Sequence, residues 1–477
     1  MTDTQARDLE IASDTVAWSL GSRSFSFEAA VAVPLPIGAS VLITSPQGKF
    51  LGQIVYKEPA GDPGHRRIAG SGTLLARLDG ADLVAVDGDA TFAGAALEPA
   101  PVDIVEAWYA NLAGTKSTLT LGTLRGASEQ PAQLIAAGFN RHTFLCGQSG
   151  SGKTYTLGVI LEQLLLNTTI PLVVLDPNSD YVHLDEITRP DGSRADVGRV
   201  VVFRAEGPHR LQVRYGRLPL RQQAMVLSLD PVADTEAYDA LRRAAEALGT
   251  TEYSVSDIRR QLESSGDSSD HELARRIDNL GVASWSIWAE KDDKPLLDQL
   301  GPNWRAAIAD LGEIPSPEER SAIVAQILTG LWARRGLKQP VLIVIDEAHN
   351  VCPQAATDPN QALAIDVTAR IAAEGRKYGL FLLLATQSPR KLNANVLSQC
   401  ENLLLMKTNS VADVAHMAEI FSQVPSGLIS QATGFSLGEG LAAGRISPTP
   451  QLFRGGRRLS PEGGADLDTT WAQPPSS

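Results

Sequence analysis

The sequence predicts an α/β protein whose core is a parallel sheet, with a small β domain ahead of the core and a helical insertion inside it. Three observations lead to this fold class. Short β-rich runs alternate with helical segments from about residue 141, which is typical of a parallel α/β sheet. Before residue 100, several short β-rich runs lie between Gly and Pro breakers. Between Leu218 and Pro302 the β-rich runs stop, and amphipathic helical patterns replace them.

The N-terminal region, residues 1–100, is predicted to consist of strands. Residues with high β-propensity alternate or cluster in four stretches, "VAVPLPIGASVLITSP", "KFLGQIVYKEPA", "HRRIAGSGTLLARLDG" and "DLVAVDGDATFAG". Several short strands at this spacing predict a small barrel or a sandwich. Residues 101–140 are predicted as a linker and the start of the core.

The core is predicted in two parts, residues 141–218 and 303–455, on either side of a helical insertion at 219–302. Its strands are expected at "TFLC", "PLVVLDP", "RVVVFRA", "WRAAIADL", "PVLIVIDEAHN", "GLFLLLATQS" and "NLLLMKT". Helices of the insertion are expected at "RQQAMVLSLD", "EAYDALRRAAEALG", "VSDIRRQLESSG" and "DHELARRIDNL". Residues 456–477 are predicted as a C-terminal tail.

Composition and charge limit the class of protein. The chain has 477 residues, which predicts two to four domains at roughly 100–200 residues each. Hydrophobic residues make up 43% and charged residues 20%, as in an ordinary globular protein with a large core. The net charge of −13 argues against a general nucleic-acid coat, because phosphate contacts need Lys and Arg. A basic stripe inside a groove or pore remains compatible with that charge.

Three further features concern the compartment. The sequence contains no run of about 18 apolar residues, so no membrane-spanning helix is predicted. The beginning, "MTDTQARDLEIASDTVAW", is too polar for a secretory signal. The three cysteines, Cys146, Cys352 and Cys400, have no metal-type spacing and leave one unpaired in any disulfide scheme. A cytoplasmic protein with reduced thiols is therefore predicted.

The motif "GQSGSGKT", from Gly147 to Thr154, fits the phosphate-loop pattern G-x-x-x-x-G-K-[ST] without a mismatch. It follows a predicted strand and precedes a predicted helix that starts at Lys153. Glycines let successive backbone N–H groups face an anion, and the helix N-terminus adds positive potential. Lys153 is expected to reach the β- and γ-phosphates of ATP, and the Thr154 hydroxyl to bind Mg²⁺. The nucleotide-binding residues are predicted to be Gly147, Gln148, Ser149, Gly150, Ser151, Gly152, Lys153, Thr154 and Tyr155.

This position in the chain argues against a chance glycine-rich turn followed by Lys-Thr. The loop therefore predicts that the parallel sheet is a P-loop NTPase core of the RecA-like type.

Two further strands are predicted to end in catalytic side chains. The strand "VLIVI" ends in Asp346 and Glu347, where Asp346 can hold Mg²⁺ through water and Glu347 can polarise the attacking water. The strand "GLFLLLATQS" ends in Thr386 and Gln387, and Gln387 is predicted to sense the γ-phosphate because ligands of parallel sheets bind at the carboxyl ends of strands. Polar residues that merely close a strand are the alternative in both cases. Together with the phosphate loop, these residues favour ATP hydrolysis.

Several stretches together resemble the HerA family of ATP-driven DNA translocases, within the larger HerA/FtsK group. They are "RHTFLCGQSGSGKT", "VVLDPNSDY", "VLIVIDEAHN", "AAEGRKYGLFLLLATQSPRKL", "SQCENLLLMKTNS" and "GRISPTPQLFRGGRR", and they span about 130–460. The resemblance implies a homo-hexameric ring that threads double-stranded DNA, and an N-terminal region that forms the family's small barrel. It also places Asp176 near the nucleotide, either supporting Mg²⁺ or water or capping a turn.

A ring ATPase usually completes each site with an arginine from the next subunit. Arg376, in "EGRKYG", is the first candidate, and Arg370 is an alternative on the preceding helix. Arg141 begins the strand before the phosphate loop, so it would act across an interface or structurally. An ordinary surface charge is the alternative for each arginine. The surface candidates for DNA contacts are Lys377, Arg390 and Lys391.

The sequence departs from the family pattern at a few positions. Gln148 and the terminal Thr of the loop stand where relatives often differ, and the chemistry tolerates both. Asn178 and Asp180 stand where many relatives carry His-Gly-Glu, so no fixed role is assigned to these side chains. His349 and Cys352 follow Glu347 closely, and two such residues favour packing over a metal site.

The resemblance also implies a separate partner, a nuclease of the NurA type or an effector subunit in antiviral defence. Two alternatives to a DNA translocase remain. One is a nucleotide-gated assembly platform for an effector, and the other is a secretion- or pilus-type ATPase of the same superfamily that moves protein.

Overall fold

The computed structural model describes residues 15–21, 23–60, 67–80, 82–86, 90–125 and 127–464. Residues 1–14 of the predicted β region and 465–477 of the predicted tail lie outside the described residues. The chain divides into two compact units. Within the described residues, unit 1 comprises the chain up to 139 together with 146–156 and 401–457, and unit 2 comprises 140–145, 157–400 and the chain from 458 onward.

The strands and helices are numbered in chain order. The strands are β1 Val16–Leu20, β2 Ser24–Ala30, β3 Ser40–Ser45, β4 Gly48–Ala60, β5 Arg67–Asp79, β6 Asp82–Ala85, β7 Thr91–Pro99, β8 Thr118–Leu124, β9 Ala127–Ile135, β10 His142–Cys146, β11 Leu172–Asp176, β12 Arg199–Phe203, β13 Trp304–Asp310, β14 Val341–Ile345, β15 Leu380–Thr386, β16 Cys400–Met406, β17 Glu439–Gly444 and β18 Ser447–Gly455. The α-helices are α1 Val102–Ala113, α2 Lys153–Asn167, α3 Leu220–Val226, α4 Thr235–Leu248, α5 Val255–Glu263, α6 Ser268–Leu280, α7 Leu296–Gln299, α8 Pro317–Ala333, α9 Pro359–Glu374, α10 Ala394–Leu397, α11 Val411–Ile420 and α12 Ser426–Ile429.

None of the helices in the described part of the chain has the length and apolar character that crossing a membrane requires.

Unit 1 contains a closed antiparallel barrel. Its strands pair in the order β2-β1-β7-β3-β4-β5, and β5 returns to β2. β6 extends the sheet on the outer side of β5. Phe25 and Phe27 on β2 fill the interior, because Gly70 and Gly72 on β5 leave room for their rings. A Cβ on Gly72 would lie 2.2 Å from the Phe25 ring. The sequence left a barrel and a sandwich open for the N-terminal region, and the structure shows the barrel.

Within the segment predicted as a linker and the start of the core, 101–140, the described residues up to 139 belong to unit 1. The segment contains helix α1 and the antiparallel hairpin β8–β9. β8 pairs with β18, which pairs with β17, and β17 pairs with β16, all antiparallel. Main-chain pairing thus joins residues near 120 to residues near 455, a long-range arrangement that local patterns in the sequence do not predict.

Unit 2 is built on a parallel sheet with strand order β12-β13-β11-β14-β15-β10. β11 pairs with β13 and with β14, and β14 pairs with β15, each in parallel. These strands carry apolar residues on both faces, as parallel strands covered by helices do. Strands lie at all seven β-rich runs that the sequence predicts for the core.

Helices α3 to α7 occupy the predicted insertion in unit 2. Local sequence explains their ends. Ser254 and Asp257 form a capping box at the start of α5, and Asp267 accepts from the Ser269 N–H at the start of α6. α4 ends at Gly249 in the left-handed conformation, which Gly adopts without a steric cost.

Candidate functional site

The phosphate loop leaves the carboxyl end of β10 and leads into α2. Gly150 and Gly152 both have positive φ, 69° and 88°, which Gly permits. In unit 1 the loop rests on the segment after β16, where the Gln148 N–H donates to the Lys407 carbonyl oxygen at 2.9 Å and Gln148 Oε1 accepts from the Asn409 N–H at 2.8 Å. The Gln148 side chain therefore holds the loop in place.

The loop fits a bound phosphate chain in three respects. The Ser151 hydroxyl is buried and has no hydrogen-bond partner among the described residues, so it is available to an anion. Lys153 begins α2 and is only 4% exposed, whereas Tyr155 is 37% exposed. A Cβ on Gly147 would lie 2.6 Å from both Met406 Cβ and Ser151 Oγ, so this position accepts only glycine.

Unit 2 gathers carboxylates at the carboxyl edge of its parallel sheet. Asp176 ends β11, Asp310 ends β13, and the two residues are register partners. Asp346 follows directly on β14, whose Ile345 is the register partner of Leu175. All three aspartates are at most 2% exposed. The register of parallel strands thus brings together residues that are far apart in the chain.

Asp176 uses both carboxylate oxygens to cap the turn that follows β11. Oδ1 accepts from the N–H groups of Asn178 at 3.3 Å and Asp180 at 3.0 Å, and Oδ2 accepts from the Tyr181 N–H at 2.8 Å. This geometry supports turn capping, one of the two interpretations that the sequence left open for Asp176. Residues 178 and 180 contact Asp176 through their main-chain N–H groups, so this capping does not depend on the side chains that depart from the family pattern.

Asp346 accepts hydrogen bonds from Tyr181 and from the main chain at Glu347. The Tyr181 hydroxyl donates to Oδ2 at 2.7 Å, and the Glu347 N–H donates to Oδ1 at 2.8 Å. Glu347 itself adopts φ 45° and ψ 47°, a left-handed conformation that is rare for a non-glycine residue and costs about 1–3 kcal/mol. Such strain is typical of functional positions.

Glu347 is joined to the end of β15 by two side chains. Gln387 Nε2 donates to Glu347 Oε1 at 2.7 Å. His349 Nδ1 lies 3.3 Å from Glu347 Oε2 and 2.9 Å from the Thr386 hydroxyl oxygen. The predicted water-activating carboxylate and the predicted sensor are therefore in contact in unit 2.

Burial shapes the electrostatics of this edge. It raises the pKa of the Asp176 carboxyl to about 6. Burial, together with the charges of Asp176 and Asp346, raises the pKa of Asp180 to about 7. Burial and the contact with Asp346 raise the pKa of the Tyr181 phenol well above its usual range, so its hydroxyl remains a hydrogen-bond donor. Crowded carboxylates of this kind favour a bound cation.

No group of three or more His, Cys, Asp or Glu side chains in the described residues is arranged to hold a metal ion by itself. A Mg²⁺ that reaches a nucleotide usually keeps several waters and takes one or two protein ligands plus phosphate oxygens. Within unit 2, Asp346 offers a buried carboxylate that fits this mode of binding.

The three candidate arginines lie at the opposite edge of the unit 2 sheet. Arg376 is exposed in the turn before β15, and Arg141 precedes β10 and donates to the Asn140 carbonyl oxygen at 3.2 Å. Arg370 on α9 pairs with Asp366 at 2.9 Å. Since strands β14 and β15 are parallel, Arg376 lies at the end of the sheet away from Glu347.

The predicted DNA-contacting cations do not form one cluster. Lys377 is exposed beside Arg376, at the amino edge of the sheet. Arg390 and Lys391 are exposed in the turn after β15, at the carboxyl edge.

Residues that the sequence reasoning assigned no role complete the carboxyl edge. Tyr181 lies in the "VVLDPNSDY" stretch, where no sequence pattern indicates the contact of its hydroxyl with Asp346. His349, for which packing was favoured over metal binding, contacts both Glu347 and Thr386. Asp310 ends a predicted strand, where it accepts from the Ser179 hydroxyl at 2.7 Å. The sequence signal that could have indicated Asp310 is a polar residue at the end of a parallel strand.

Known proteins resemble this chain in sequence and in fold. Residues 119–330 match the family described as the central domain of the helicase HerA. A DNA double-strand break repair helicase HerA of Pyrococcus furiosus is 32% identical to this chain over 118 residues, which are 25% of this chain and 21% of that relative. The aligned HerA region is thus much shorter than the relative itself.

Two further similarities cover more of this chain. A probable helicase of Methanocaldococcus jannaschii is 22% identical over 386 residues, which are 71% of each protein. Among solved structures, VirB4 of Thermoanaerobacter pseudethanolicus superposes with a TM-score of 0.52 at 15% identity, covering 72% of this chain and 97% of that chain. The latter likeness concerns the fold, which is that of a P-loop ATPase, as the sequence predicts.

Proposed function

We propose that this chain is an ATP-hydrolysing subunit of a homo-hexameric ring that moves along double-stranded DNA. The observation that carries the proposal is the contact of Glu347 with Gln387, beside Asp346. The same chain has a phosphate loop whose buried Ser151 hydroxyl has no hydrogen-bond partner among the described residues and is available to an anion. The HerA-family match, and the name of the relative from Pyrococcus furiosus as a DNA repair helicase, favour DNA as the polymer.

In this proposal each residue has a specific role. The backbone of the phosphate loop and Lys153 bind the phosphates of ATP, and Thr154 and Asp346 hold Mg²⁺, which neutralises charge on the transferring phosphoryl group. Glu347 orients and polarises the attacking water. Gln387 bonds Glu347 in this structure and can exchange that bond for a γ-phosphate oxygen, which makes it the sensor of the nucleotide state.

Arg376 supplies the charge that completes the site of the neighbouring subunit. Its position at the opposite edge of the sheet from Glu347 supports action between subunits rather than within one. The ring is proposed to work in the cytoplasm with a separate nuclease or effector, in DNA end processing or in antiviral defence.

A triplex-displacement assay tests this proposal. A third strand bound to linear double-stranded DNA is released when a translocase runs into it, and release is followed with ATP, without ATP, and with the Glu347→Gln variant. Molecular mass in solution is measured in parallel. We expect a hexamer and ATP-dependent release that the variant lacks. A protein that stays monomeric with ATP and DNA, or that turns over ATP without displacing the strand, would contradict the ring translocase.

A further inference from the structure

Tyr181 connects the turn after β11 to Asp346. Its side chain is 0% exposed, and its hydroxyl makes the 2.7 Å hydrogen bond to Asp346 Oδ2. The other Asp346 oxygen is held by the main chain at Glu347. The Tyr181 hydroxyl therefore contributes to fixing the orientation of this carboxylate.

The C-terminal strap, defined as residues 458–464, fixes that ring from the other side. Arg458 is 6% exposed, and its guanidinium carbon lies 5.7 Å from the centroid of the Tyr181 ring. Arg458 Nη2 donates to the Asp180 carbonyl oxygen at 2.8 Å, and the Gly463 N–H donates to the same oxygen at 3.3 Å. The residue immediately before Tyr181 is therefore clamped by the strap.

The strap in turn is anchored on α2, the helix that follows the phosphate loop. Glu162 is 1% exposed and accepts from the N–H groups of Leu459 at 2.8 Å and Ser460 at 2.7 Å, and from the Ser460 hydroxyl at 2.6 Å. Arg458 Nε lies 3.7 Å from the same carboxylate. A Cβ on Gly158 would lie 2.7 Å from Arg458 Nε, so the glycine on α2 makes room for the guanidinium.

We propose that Tyr181 is a positioning residue for the Asp346 carboxylate and that the C-terminal strap holds Tyr181 in place through Arg458. The inference rests on the proposed nucleotide site, in which Asp346 faces Mg²⁺, and it does not depend on whether DNA is the polymer. Groups that orient a metal-binding carboxylate usually matter for metal affinity about 10–100-fold. The strap is therefore a structural part of the proposed magnesium site.

The experiment uses the full chain and measures metal affinity directly. Binding of Mn²⁺ in the presence of a non-hydrolysable ATP analogue is followed by electron paramagnetic resonance, and nucleotide binding in EDTA is measured separately. The variant Tyr181→Phe removes one hydroxyl and keeps the ring. The matched control is Tyr215→Phe, since Tyr215 is also 0% exposed and donates one hydrogen bond, to the Gln223 carbonyl oxygen at 3.0 Å, in unit 2.

We expect Tyr181→Phe to weaken Mn²⁺ binding about tenfold and to leave nucleotide binding in EDTA unchanged. Excess Mg²⁺ should restore its ATP turnover. Tyr215→Phe should bind Mn²⁺ as the wild-type chain does, even where it melts at a lower temperature. Arg458→Lys, which keeps the charge but lacks the planar fork, should shift Mn²⁺ binding in the same direction as Tyr181→Phe.

Unchanged Mn²⁺ affinity in Tyr181→Phe would overturn the inference, and so would an equal loss in Tyr215→Phe, which would indicate a general effect of losing a buried hydroxyl. A wild-type chain that binds nucleotide and Mn²⁺ but ignores DNA would leave the inference standing while contradicting the proposed translocation.

Discussion

Replacing Glu162 by Ala should detach the C-terminal strap from α2. The carboxylate compensates the buried Arg458 charge and accepts the N–H groups of Leu459 and Ser460. Breaking a buried ion pair by removing one partner costs about 3–5 kcal/mol, although Arg458 keeps Glu462, whose exposed carboxylate lies 3.8 Å from Nη1. Each buried N–H without an acceptor adds about 1–3 kcal/mol. A cost of this size exceeds the stabilisation that the remaining contacts of the short strap can supply. The strap should therefore open while the rest of unit 2 stays folded.

Limited proteolysis measures that opening. Trypsin needs an unfolded stretch of chain to cut after Arg457 or Arg458, and cleavage then follows the population of the open form. A cost of about 3 kcal/mol corresponds to an increase of roughly 100-fold in that population, since about 1.4 kcal/mol is a factor of ten. The released C-terminal peptide is identified by mass spectrometry over a time course.

Two variants provide the comparison. Gln163→Ala alters the next residue of α2, which is only half-buried, and should leave the cleavage rate near that of the wild-type chain. Glu162→Gln keeps one acceptor oxygen but loses the charge, and should fall between wild type and Glu162→Ala. Equal cleavage rates for Glu162→Ala and wild type, within about twofold, would refute the reasoning on buried-charge cost.

Three further perturbations have defined outcomes. Gly147→Ala should abolish binding of a fluorescent ATP analogue, because the added Cβ would lie 2.6 Å from two neighbouring atoms and must displace the loop. Burial lowers the pKa of His142 to about 4. Between pH 6.5 and pH 4, the imidazole is therefore protonated in the unfolded chain and neutral in the folded chain. The unfolding free energy should therefore fall by about 3 kcal/mol between pH 6.5 and pH 4, in denaturant titrations, and less in His142→Gln. Mixing inactive Arg376→Ala and Glu347→Gln chains should restore part of the ATP turnover, because one class of interface then has both residues.

Each of these predictions has its own control. Gly434→Ala adds a Cβ in open space and should bind nucleotide normally. An amide at position 142 can still donate to the Ala372 carbonyl oxygen and accept from the Leu382 N–H, so an unchanged pH slope in His142→Gln would disprove the role of the imidazole. Arg370→Ala should stay active, since its guanidinium pairs with Asp366. Mixtures that remain inactive would exclude Arg376 as the residue shared between subunits.

The sequence predicted the parts of the fold that depend on local patterns. The strands β10 to β16, the helices of the insertion and the barrel strands follow from hydrophobic periodicity and from Gly and Pro breakers. The pairing of β18 with β8 was not predicted, because Phe453 and Leu124 are partners through tertiary structure alone. The same reason explains why the hairpin β8–β9 was not predicted within 101–140, the segment expected as a linker and the start of the core.

The residues of the candidate site also fall into those that local sequence motifs predict and those that only tertiary contacts reveal. The phosphate loop, Asp346, Glu347 and Gln387 follow from contiguous motifs whose chemistry depends on residue type and spacing. The contact of Tyr181 with Asp346 joins residues 165 positions apart, and that of Glu162 with Ser460 joins residues 298 apart. No spacing rule in a single sequence links such pairs. They are visible only once the sheet and the strap bring them together.

ATP turnover with and without linear double-stranded DNA tests the central claim most directly. The purified chain is measured over a range of DNA concentrations, with Glu347→Gln as the control that keeps the fold and loses the water-activating carboxylate. The account predicts strong stimulation by DNA that the variant lacks. Slow turnover that DNA leaves unchanged would contradict a DNA translocase, and stimulation by a protein substrate instead would favour the secretion-type alternative.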